Sequence, residues 1–283
     1  MSLRDGAVDT GSQETVPAFF RARNELFDRR NAQRKAWVAR QLHDRIEIEM
    51  PGGEKKEGTK WETTPAQVAH SISKSLLERT VIARVQGTGA SDEGRQLWDL
   101  ERPLEYSCRL ELLDFAHEEG RKVFWHSSAH VLGEAAERRY GCSLCIGPPV
   151  ENGFYYEMAL PGMAAVSEAD WQPLKQIAEI AVKEKQPFER LELGRKDLLE
   201  MFAYNKYKLR IIQDRIPEGA FATVYRCGSL IDLCRGPHVI DTGRIKAFEI
   251  VKNSASYFLG DANNDSLQRI YGVSFPDKKV SFR

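Results

Sequence analysis

Two short segments of the sequence bring together residue types that transfer protons or bind metals. His126 and His130 are four residues apart in a segment with helical spacing, so both imidazoles lie on one face of the predicted helix. Asp232 and Cys234 are two residues apart in a predicted strand and therefore share one of its faces. A Gly-Pro turn after this strand returns His238 toward Cys234. Three of the six histidines can thus meet one thiol and one carboxylate.

This residue set supports two kinds of chemistry, and the spacing alone does not choose between them. Three imidazoles and a thiolate match the ligands of zinc, where four protein ligands make a structural ion and three leave a place for a catalytic water. Without a metal, the same groups orient water and transfer protons near neutral pH, where histidine titrates. Either segment alone is commonly a packing feature. Their presence in one domain, with Asp232 beside them, favours a functional site.

The remaining cysteines and the overall composition restrict the class of protein. Cys142 and Cys145 form a Cys-x-x-Cys pair, but Cys227 and Cys234 are seven residues apart, the wrong spacing for a second half of a zinc ribbon. The first pair is therefore interpreted as packing residues. Five cysteines in 283 residues indicate a reduced, cytoplasmic protein. The chain has no apolar run of about 18 residues, which predicts no membrane span. Acidic and basic residues are equal at 41 each, which neither demands nor excludes nucleic acid.

The elements that must position these residues begin with an N-terminal extension over residues 1–42. Its first 17 or so residues are polar and small, which predicts disorder. Residues 18–42 then combine aromatic residues with many arginines at partly helical spacing. Two interpretations stay open for this basic helix: a solvated helix packed on the next domain, or an arm that contacts RNA phosphates.

Residues 43–116 predict a small sheet crossed by one helix. The predicted strands lie at 45–50, 55–61, 80–85 and 108–115. Thr64 before a proline predicts a helix start, and the apolar spacing continues that helix through Leu76. A loop rich in Gly, Ser and Asp occupies 87–95. The order strand, strand, helix, strand, strand predicts a ubiquitin-like (β-grasp) domain that serves as a binding or spacing module.

Residues 117–283 predict an α+β domain that contains both histidine segments. Its predicted helices lie at 123–140, 169–184, 195–204 and 267–271. Its predicted strands lie at 144–147, 154–158, 223–226, 230–234 and 245–251. The first helix carries two histidines and the strand at 230–234 carries Asp232 and Cys234, so the chemistry depends on packing that helix against that strand.

At these segments the sequence resembles threonyl-tRNA synthetases of the eukaryotic cytosolic type. The matching stretches are 126–130, 146–156, 183–190, 230–239 and 267–277. The preceding sheet resembles the TGS domain of that family, and the resemblance covers about residues 40–280. The Cys-Arg-Gly-Pro-His form of the second segment favours the threonyl family. Related alanyl editing proteins carry a similar histidine and cysteine set without that form and without a TGS domain.

The resemblance implies an editing domain that hydrolyses seryl-tRNA(Thr). One methyl group separates serine from threonine and is worth about 1–3 kcal/mol in a pocket, so a second, hydrolytic site is needed. The residues that the resemblance assigns to catalysis are His126, His130, Lys208, Cys234 and His238. Asp232 is expected to hold the serine amine or hydroxyl, and Tyr156 to shape the pocket. Arg235, like Arg244 and Arg269, is expected to guide the acceptor stem.

Expectations about cofactors and partners follow from the same resemblance. Water positioned by histidine and Lys208 is expected to suffice without a cofactor, and zinc on the histidine and cysteine set is the alternative. Lys206, two residues from Lys208, is the alternative lysine. The sequence ends at Arg283, so the catalytic and anticodon-binding domains are expected to be absent, together with ATP binding and ligase activity. The expected partners are the acceptor end of tRNA(Thr) and the missing catalytic half, with the fragment itself monomeric.

Two other functions stay open at this point. The first is a non-catalytic tRNA-binding or regulatory module, and the second is a zinc-dependent deacylase of the alanyl type. The complete set of motif residues favours hydrolysis. A truncated fragment and a natural stand-alone editor that acts in trans are equally compatible with the sequence.

Overall fold

The first domain is a mixed five-stranded sheet with strands in the order β2-β1-β5-β3-β4. Its strands are β1 (Arg45–Glu49), β2 (Lys55–Thr59), β3 (Thr80–Gly87), β4 (Gln96–Trp98) and β5 (Cys108–Asp114). β1 and β5 run parallel, and the other neighbouring pairs are antiparallel. The computed structural model describes residues 18–89 and 94–278. Part of the predicted loop at 87–95 lies outside them, and β4, which is too short for a periodic signal, was not predicted.

The single helix predicted across this sheet is two helices, α2 (Pro65–Ile72) and α3 (Lys74–Arg79). Thr64 caps α2 as predicted, in a reciprocal capping box with Gln67. The prediction of one helix through Leu76 was wrong because Ser73 has an extended backbone and interrupts it. The Ser73 hydroxyl accepts a hydrogen bond from the Leu76 amide at 3.0 Å and so starts α3. The sheet with its helices confirms the ubiquitin-like fold.

The N-terminal helix, α1 (Ala18–Val38), packs mainly on the second domain. Leu26 and Phe27 are buried there in a cluster with side chains from residues 191–231. Arg23, on the same face, is also buried. The expected packing on the next domain was therefore wrong about the partner: α1 packs on a domain, but mainly on the second domain and not on the adjoining first one. The disorder predicted for the first residues falls on 1–17, outside the described residues.

The second domain is built around a long helix, α4 (Glu118–Tyr140), which packs on a sheet with the order β12-β13-β8-β6. The strands of this sheet are β6 (Ser143–Leu144), β7 (Pro149–Val150), β8 (Gly153–Ala159), β12 (Ala247–Tyr257) and β13 (Ser266–Phe275), with β7 paired to β8 alone. A second helix, α5 (Trp171–Glu184), lies against α4. The main apolar core of the molecule forms between these helices and the sheet.

The short helix predicted at 267–271 was wrong, because these residues lie in β13. Leu267 and Ile270 are three residues apart and buried, which suits a helix as well as an irregular strand. Pairing decides the outcome: β13 is hydrogen-bonded to β12 on one side and to β8 on the other. A sheet neighbour on each side satisfies the backbone groups, and this overrides local spacing.

A smaller antiparallel sheet, in the order β11-β10-β9, completes the second domain. Its strands are β9 (Glu189–Gly194), β10 (Phe221–Cys227) and β11 (Leu230–Leu233). Two helices, α6 (Arg195–Met201) and α7 (Lys206–Arg215), connect β9 to β10. The sequence predicted neither β9 nor α7, and α6 ends before the predicted 204. None of the helices among the described residues is both long enough and apolar enough to cross a membrane.

Candidate active site

Helix α4 supplies the first two histidines of the candidate site. His126 is partly exposed and His130 is buried one turn further on. Their ring centres are 5.2 Å apart, so the predicted common face is correct. Gly133 lets α4 approach β8, since a Cβ there would lie 2.8 Å from the ring of Tyr156. This close approach brings the ring of Tyr156 against the helix that carries the two histidines.

The strand β11 and the turn after it deliver the thiol and the third histidine. Cys234 Sγ lies 3.2 Å from His126 Nε2 and 3.3 Å from His238 Nε2. The turn contains a cis peptide bond between Gly236 and Pro237. Gly236 has φ +65° and packs against Tyr225 so closely that a Cβ would clash, which explains glycine at this position. The predicted return of His238 beside Cys234 is thus present.

Asp232 connects the histidine cluster to a lysine. Lys208 Nζ lies 2.5 Å from one carboxylate oxygen, and Tyr156 donates its hydroxyl proton to the other. His130 Nε2 lies 3.7 Å from that second oxygen. Lys208 and not Lys206 therefore faces the site. Lys206 is exposed and pairs with Asp265 on the outer side of α7.

The start of α7 fixes the direction of Lys208. Asn205 caps the helix by accepting hydrogen bonds from the amides of Tyr207 and Lys208. Its side-chain amide donates to the Leu144 carbonyl at 2.8 Å, which ties the cap to β6. With its first turn anchored in this way, α7 directs Lys208 inward.

Burial keeps the imidazoles and the thiol of the cluster uncharged at neutral pH. Burial lowers the pKa of His126 to about 4 and that of His130 to about 3, and it lowers the pKa of His238 well below its ordinary value. Burial also raises the pKa of the Cys234 thiol well above its usual range. A neutral thiol is a poor nucleophile, so the site is not built for a covalent cysteine intermediate.

Asp232 carries the negative charge in this otherwise neutral cluster. Burial acts to raise the pKa of Asp232, but the charge of Lys208 and the nearby His130 hold it below its ordinary value. Burial and the neighbouring Asp232 raise the pKa of Tyr156 well above its usual range, so its phenol stays protonated and donates to the carboxylate. The site therefore presents a fixed anion beside neutral imidazoles.

Ser127 sets the tautomer of His238. The Ser127 hydroxyl donates to the Val123 carbonyl at 2.9 Å and accepts from the Val239 amide at 3.1 Å. Its only proton is used in the first of these bonds, so His238 Nδ1, 3.0 Å away, is the donor to Ser127 Oγ. His238 Nε2 is consequently unprotonated and directs its lone pair at Cys234.

Replacing Ser127 by alanine should lower the rate of the site's reaction by about 10-fold, because the loss of a partner that orients a functional histidine typically costs 10- to 100-fold. The expected spectroscopic sign is a change in the ¹⁵N shifts of His238, from an Nδ1-protonated ring to a mixture of tautomers. Ser128→Ala is the matched control, because Ser128 bonds to Phe124 and Ser274 and to no histidine. Unchanged His238 shifts in Ser127→Ala would refute this role.

The first domain also reaches the site, through a residue that the sequence analysis missed. Asp99 accepts a hydrogen bond from the His238 amide at 2.9 Å and another from the Tyr225 hydroxyl at 2.8 Å. Phe188, also missed, stacks on the His238 ring with centroids 4.8 Å apart. Ser127 lies inside the His-x-x-x-His motif, so the sequence could have pointed to it. Asp99 is 139 residues from His238, and nothing local signals such a contact.

The arginines expected to guide RNA differ in their positions. Arg235 is exposed and, with Cys234, lines a surface groove of about 480 Å³. Arg244 instead donates to the Leu77 carbonyl at 2.9 Å and so holds the two domains together. Arg269 is bonded to Glu157 and lies over the ring of Tyr155. Only Arg235 of these three thus stands where a substrate would enter the cluster.

The cluster has the dimensions of a metal site as well as of a metal-free one. One ligand atom from each of His126, His130, Cys234 and His238 lies within 4.8 Å of all the others. Bonds of roughly 2.0–2.3 Å to a tetrahedral zinc require ligand atoms about 3.3–3.8 Å apart, which small side-chain shifts would provide. The paired Cys142 and Cys145 are buried, and among the described residues they belong to no such cluster.

Comparison with known protein families agrees with both domains. The TGS domain model matches residues 46–114, and the model of the threonyl and alanyl tRNA synthetase second additional domain matches residues 222–271. The fold and the site thus define a protein with a TGS domain followed by a second additional domain, which is an editing domain. Within that class, 93% of the chain matches cytoplasmic threonyl-tRNA synthetases at about 50% identity.

The relatives that show this are threonine--tRNA ligases. The chain is 50% identical over 277 residues to the cytoplasmic enzyme of Saccharomyces cerevisiae, with 93% of this chain and 37% of that protein covered. Identity to the cytoplasmic enzyme of Caenorhabditis elegans is 51% over 263 residues, covering 93% of this chain and 35% of that one. The chain therefore spans about a third of the length of these relatives. Their names give the cytoplasmic location that the sequence predicts.

Proposed function

We propose that this chain hydrolyses the ester bond of seryl-tRNA(Thr). The observation that carries the proposal is the cluster of His126, His130, Cys234 and His238 around the Asp232–Lys208 pair, within a second additional domain. The acceptor end of tRNA(Thr) is the proposed partner. A catalytic half supplied by the rest of such an enzyme is the second proposed partner, and neither ATP nor ligase activity is assigned to this chain.

Asp232 provides the recognition of serine in this proposal. Its carboxylate is a buried anion at the centre of the site, and it suits the ammonium or hydroxyl group of a seryl ester. Tyr156 and His130 form the adjacent wall, and both are buried and tightly packed. A pocket closed on that side admits serine and resists the extra methyl of threonine, which gives a discrimination of roughly 10- to 200-fold.

Water is the nucleophile in the proposed reaction. It attacks the ester carbonyl carbon, and a neutral imidazole of the cluster accepts the proton that the water loses. The tetrahedral intermediate collapses by breaking the bond to the ribose oxygen, which takes up a proton and leaves as the free hydroxyl. In this proposal the ammonium group of Lys208 orients water and stabilises negative charge on the former carbonyl oxygen. An aminoacyl ester is already activated, so positioning and proton transfer suffice.

Zinc-dependent hydrolysis is the second candidate, favoured by the spacing of the four ligand atoms. The ligands of the ion would come from the same three histidines and Cys234, and three of these four groups would leave one position open. At that position the ion would supply an activated water and polarise the carbonyl. The 3.2 and 3.3 Å contacts of Cys234 to His126 and His238 also suit a hydrogen-bonded cluster without a metal, so the metal content has to be measured.

The proposal is tested by following seryl-tRNA(Thr) and threonyl-tRNA(Thr) side by side, with and without a chelator and with the metal content measured. We expect rapid loss of serine, a rate for threonine lower by roughly 10- to 200-fold, and no effect of the chelator. His130→Asn should abolish the reaction, whereas His70→Asn, at an exposed position on α2, should not change it. Loss of activity in chelator and its return with zinc would support the metal mechanism. No hydrolysis of either ester would identify a binding module.

A further inference from the structure

A larger cavity, of about 780 Å³, lies where α1, the first domain and the second domain meet. We refer to it as the junction cleft. The residues that matter for its chemistry are Arg34, Trp61, Arg102, Lys185, Phe188 and Arg190. They come from all three parts of the chain, so the cleft exists only in the assembled molecule. The four residues of the histidine cluster do not line it.

The junction cleft nevertheless adjoins the candidate active site. Phe188 forms part of its wall, and the same ring stacks on His238 with an interplanar angle of 16°. Arg190 lines both this cleft and the groove that Cys234 and Arg235 line. A ligand that extends from the cluster along β9 would therefore pass Arg190 and enter the cleft.

Arg34 is an uncompensated cation inside the cleft. It is half-buried, and among the residues that the structure describes it makes no hydrogen bond and no ion pair. Burial, followed by repulsion from Arg190, lowers its pKa, and the attraction of Glu105 does not offset this. Arg102 adds to the repulsion. A partly buried cation beside two others is costly unless an anion joins it.

Three of the acidic residues that line the cleft are already bonded elsewhere. Glu105 accepts a hydrogen bond from Arg102 at 2.9 Å, and Glu189 accepts one from Arg226 at 2.7 Å. Asp99 is bonded to Tyr225 and to the His238 backbone. Their carboxylates are therefore committed to other partners.

The two other carboxylates of the cleft act on a different arginine. Glu101 and Asp241 each exert an attractive charge on Arg244, which holds the two domains together. Arg190 already pairs with Glu192 at 3.4 Å, so Arg34 is the arginine of the cleft whose balancing anion would come from a ligand.

Aromatic surfaces accompany these cations. Trp61 has φ +66°, a left-handed conformation that is unfavourable for a residue with a side chain. Its amide is held by the Leu104 carbonyl at 2.9 Å, and Trp37 meets its ring edge-on with centroids 5.4 Å apart. These contacts hold the indole of Trp61 at the cleft wall, which Phe188 also lines. Cations interleaved with aromatic faces bind single-stranded nucleic acid, with the cations on phosphates and the rings on bases.

We propose that the junction cleft binds the unpaired nucleotides that precede the terminal adenosine of the tRNA acceptor end. Arg34 and Arg190 contact phosphates, and the indole of Trp61 stacks on a base. The inference rests on the proposed function, because it places the terminal seryl-adenosine in the histidine cluster and the adjoining nucleotides in the cleft. Helix α1 is then part of the substrate-binding surface, since it carries Arg34.

The first test measures binding of a fluorescent single-stranded RNA with the acceptor-end sequence, by anisotropy at several salt concentrations. Arg34→Glu should weaken binding about 10-fold and reduce the salt slope by about 0.7 for each phosphate that a cation no longer neutralises. Arg21→Glu is the matched control, because it makes the same charge change on the exposed face of the same helix. Trp61→Ala should weaken binding of the single strand and leave binding of a duplex RNA of equal length unchanged.

A second measurement separates this inference from the proposed function. In steady-state hydrolysis of seryl-tRNA(Thr), Arg34→Glu should raise KM about 10-fold and leave kcat unchanged, as expected for uniform binding of substrate and transition state. If wild type hydrolyses the ester and both Arg34→Glu and Arg21→Glu match it in KM and in RNA binding, the inference is wrong and the function stands. If wild type does not hydrolyse the ester but Arg34→Glu alone loses RNA binding, the function is wrong and the cleft stands.

Discussion

Replacing Lys208 by alanine is expected to reduce hydrolysis of seryl-tRNA(Thr) by about 10²- to 10³-fold, the usual effect of removing a group that stabilises developing negative charge. Lys208 and Asp232 are almost completely buried and their charged atoms are 2.5 Å apart. Single-turnover deacylation is the appropriate measurement, because it isolates the chemical step from product release. Lys206→Ala is the matched control, since Lys206 lies two residues away but points to solvent and pairs with Asp265. A similar loss of activity in both variants would contradict the assignment.

Loss of Lys208 also leaves the Asp232 charge buried and unpaired, so stability must be separated from catalysis. Breaking a buried pair by removing one partner costs about 3–5 kcal/mol of unfolding free energy. A double variant, Lys208→Met with Asp232→Asn, removes both charges and keeps an acceptor for the Tyr156 hydroxyl. We expect it to recover most of the stability measured by urea unfolding and none of the hydrolysis. Recovery of activity together with stability would assign the pair a structural role only.

The pair also shows what the sequence can and cannot predict about the site. His126, His130, Asp232 and Cys234 follow from periodicity, because a helix repeats every 3.6 residues and a strand every two. Lys208 came only from the resemblance, since α7 itself was not predicted. Its start depends on Asn205, which both caps the helix and reaches across to the Leu144 carbonyl. Because the cap also depends on a hydrogen bond to a distant strand, the local sequence carries only part of the information that predicts it.

The misplaced elements have the same physical origin. The helix predicted at 267–271 is a strand because two sheet neighbours pair with it, and the sequence does not display those neighbours. Ser73 divides a predicted helix because its hydroxyl caps the start of α3, and this cap takes the place of a continued α2. β1 was predicted well because its residues alternate strictly, so one register alone buries Ile46 and Ile48.

Replacing Arg23 by alanine is expected to destabilise the second domain by about 3–5 kcal/mol, because it leaves a buried carboxylate without its cation. Both terminal nitrogens of Arg23 bond to Glu137, at 3.0 and 2.6 Å. They also donate to the Tyr204 hydroxyl at 2.7 Å and to the Ser229 carbonyl at 2.6 Å. Burial acts to lower the pKa of Arg23, but Glu137 and Tyr204 raise it above its ordinary value, so the arginine stays charged.

Urea unfolding of Arg23→Ala beside Arg29→Ala tests this expectation. Arg29 lies on the same helix in an exposed pair with Glu200 at 3.5 Å, and such pairs contribute about 0.2–1 kcal/mol. Because Glu137 lies seven residues beyond His130 on α4, loss of Arg23 should also loosen the helix that carries the site histidines. Hydrogen exchange of the α4 amides should then rise in Arg23→Ala and stay unchanged in Arg29→Ala. Equal stability of the two variants would mean that α1 is only an accessory to the second domain. The expected difference would show that residues 18–38 are a structural part of the second domain, although the whole ubiquitin-like sheet lies between them in the sequence.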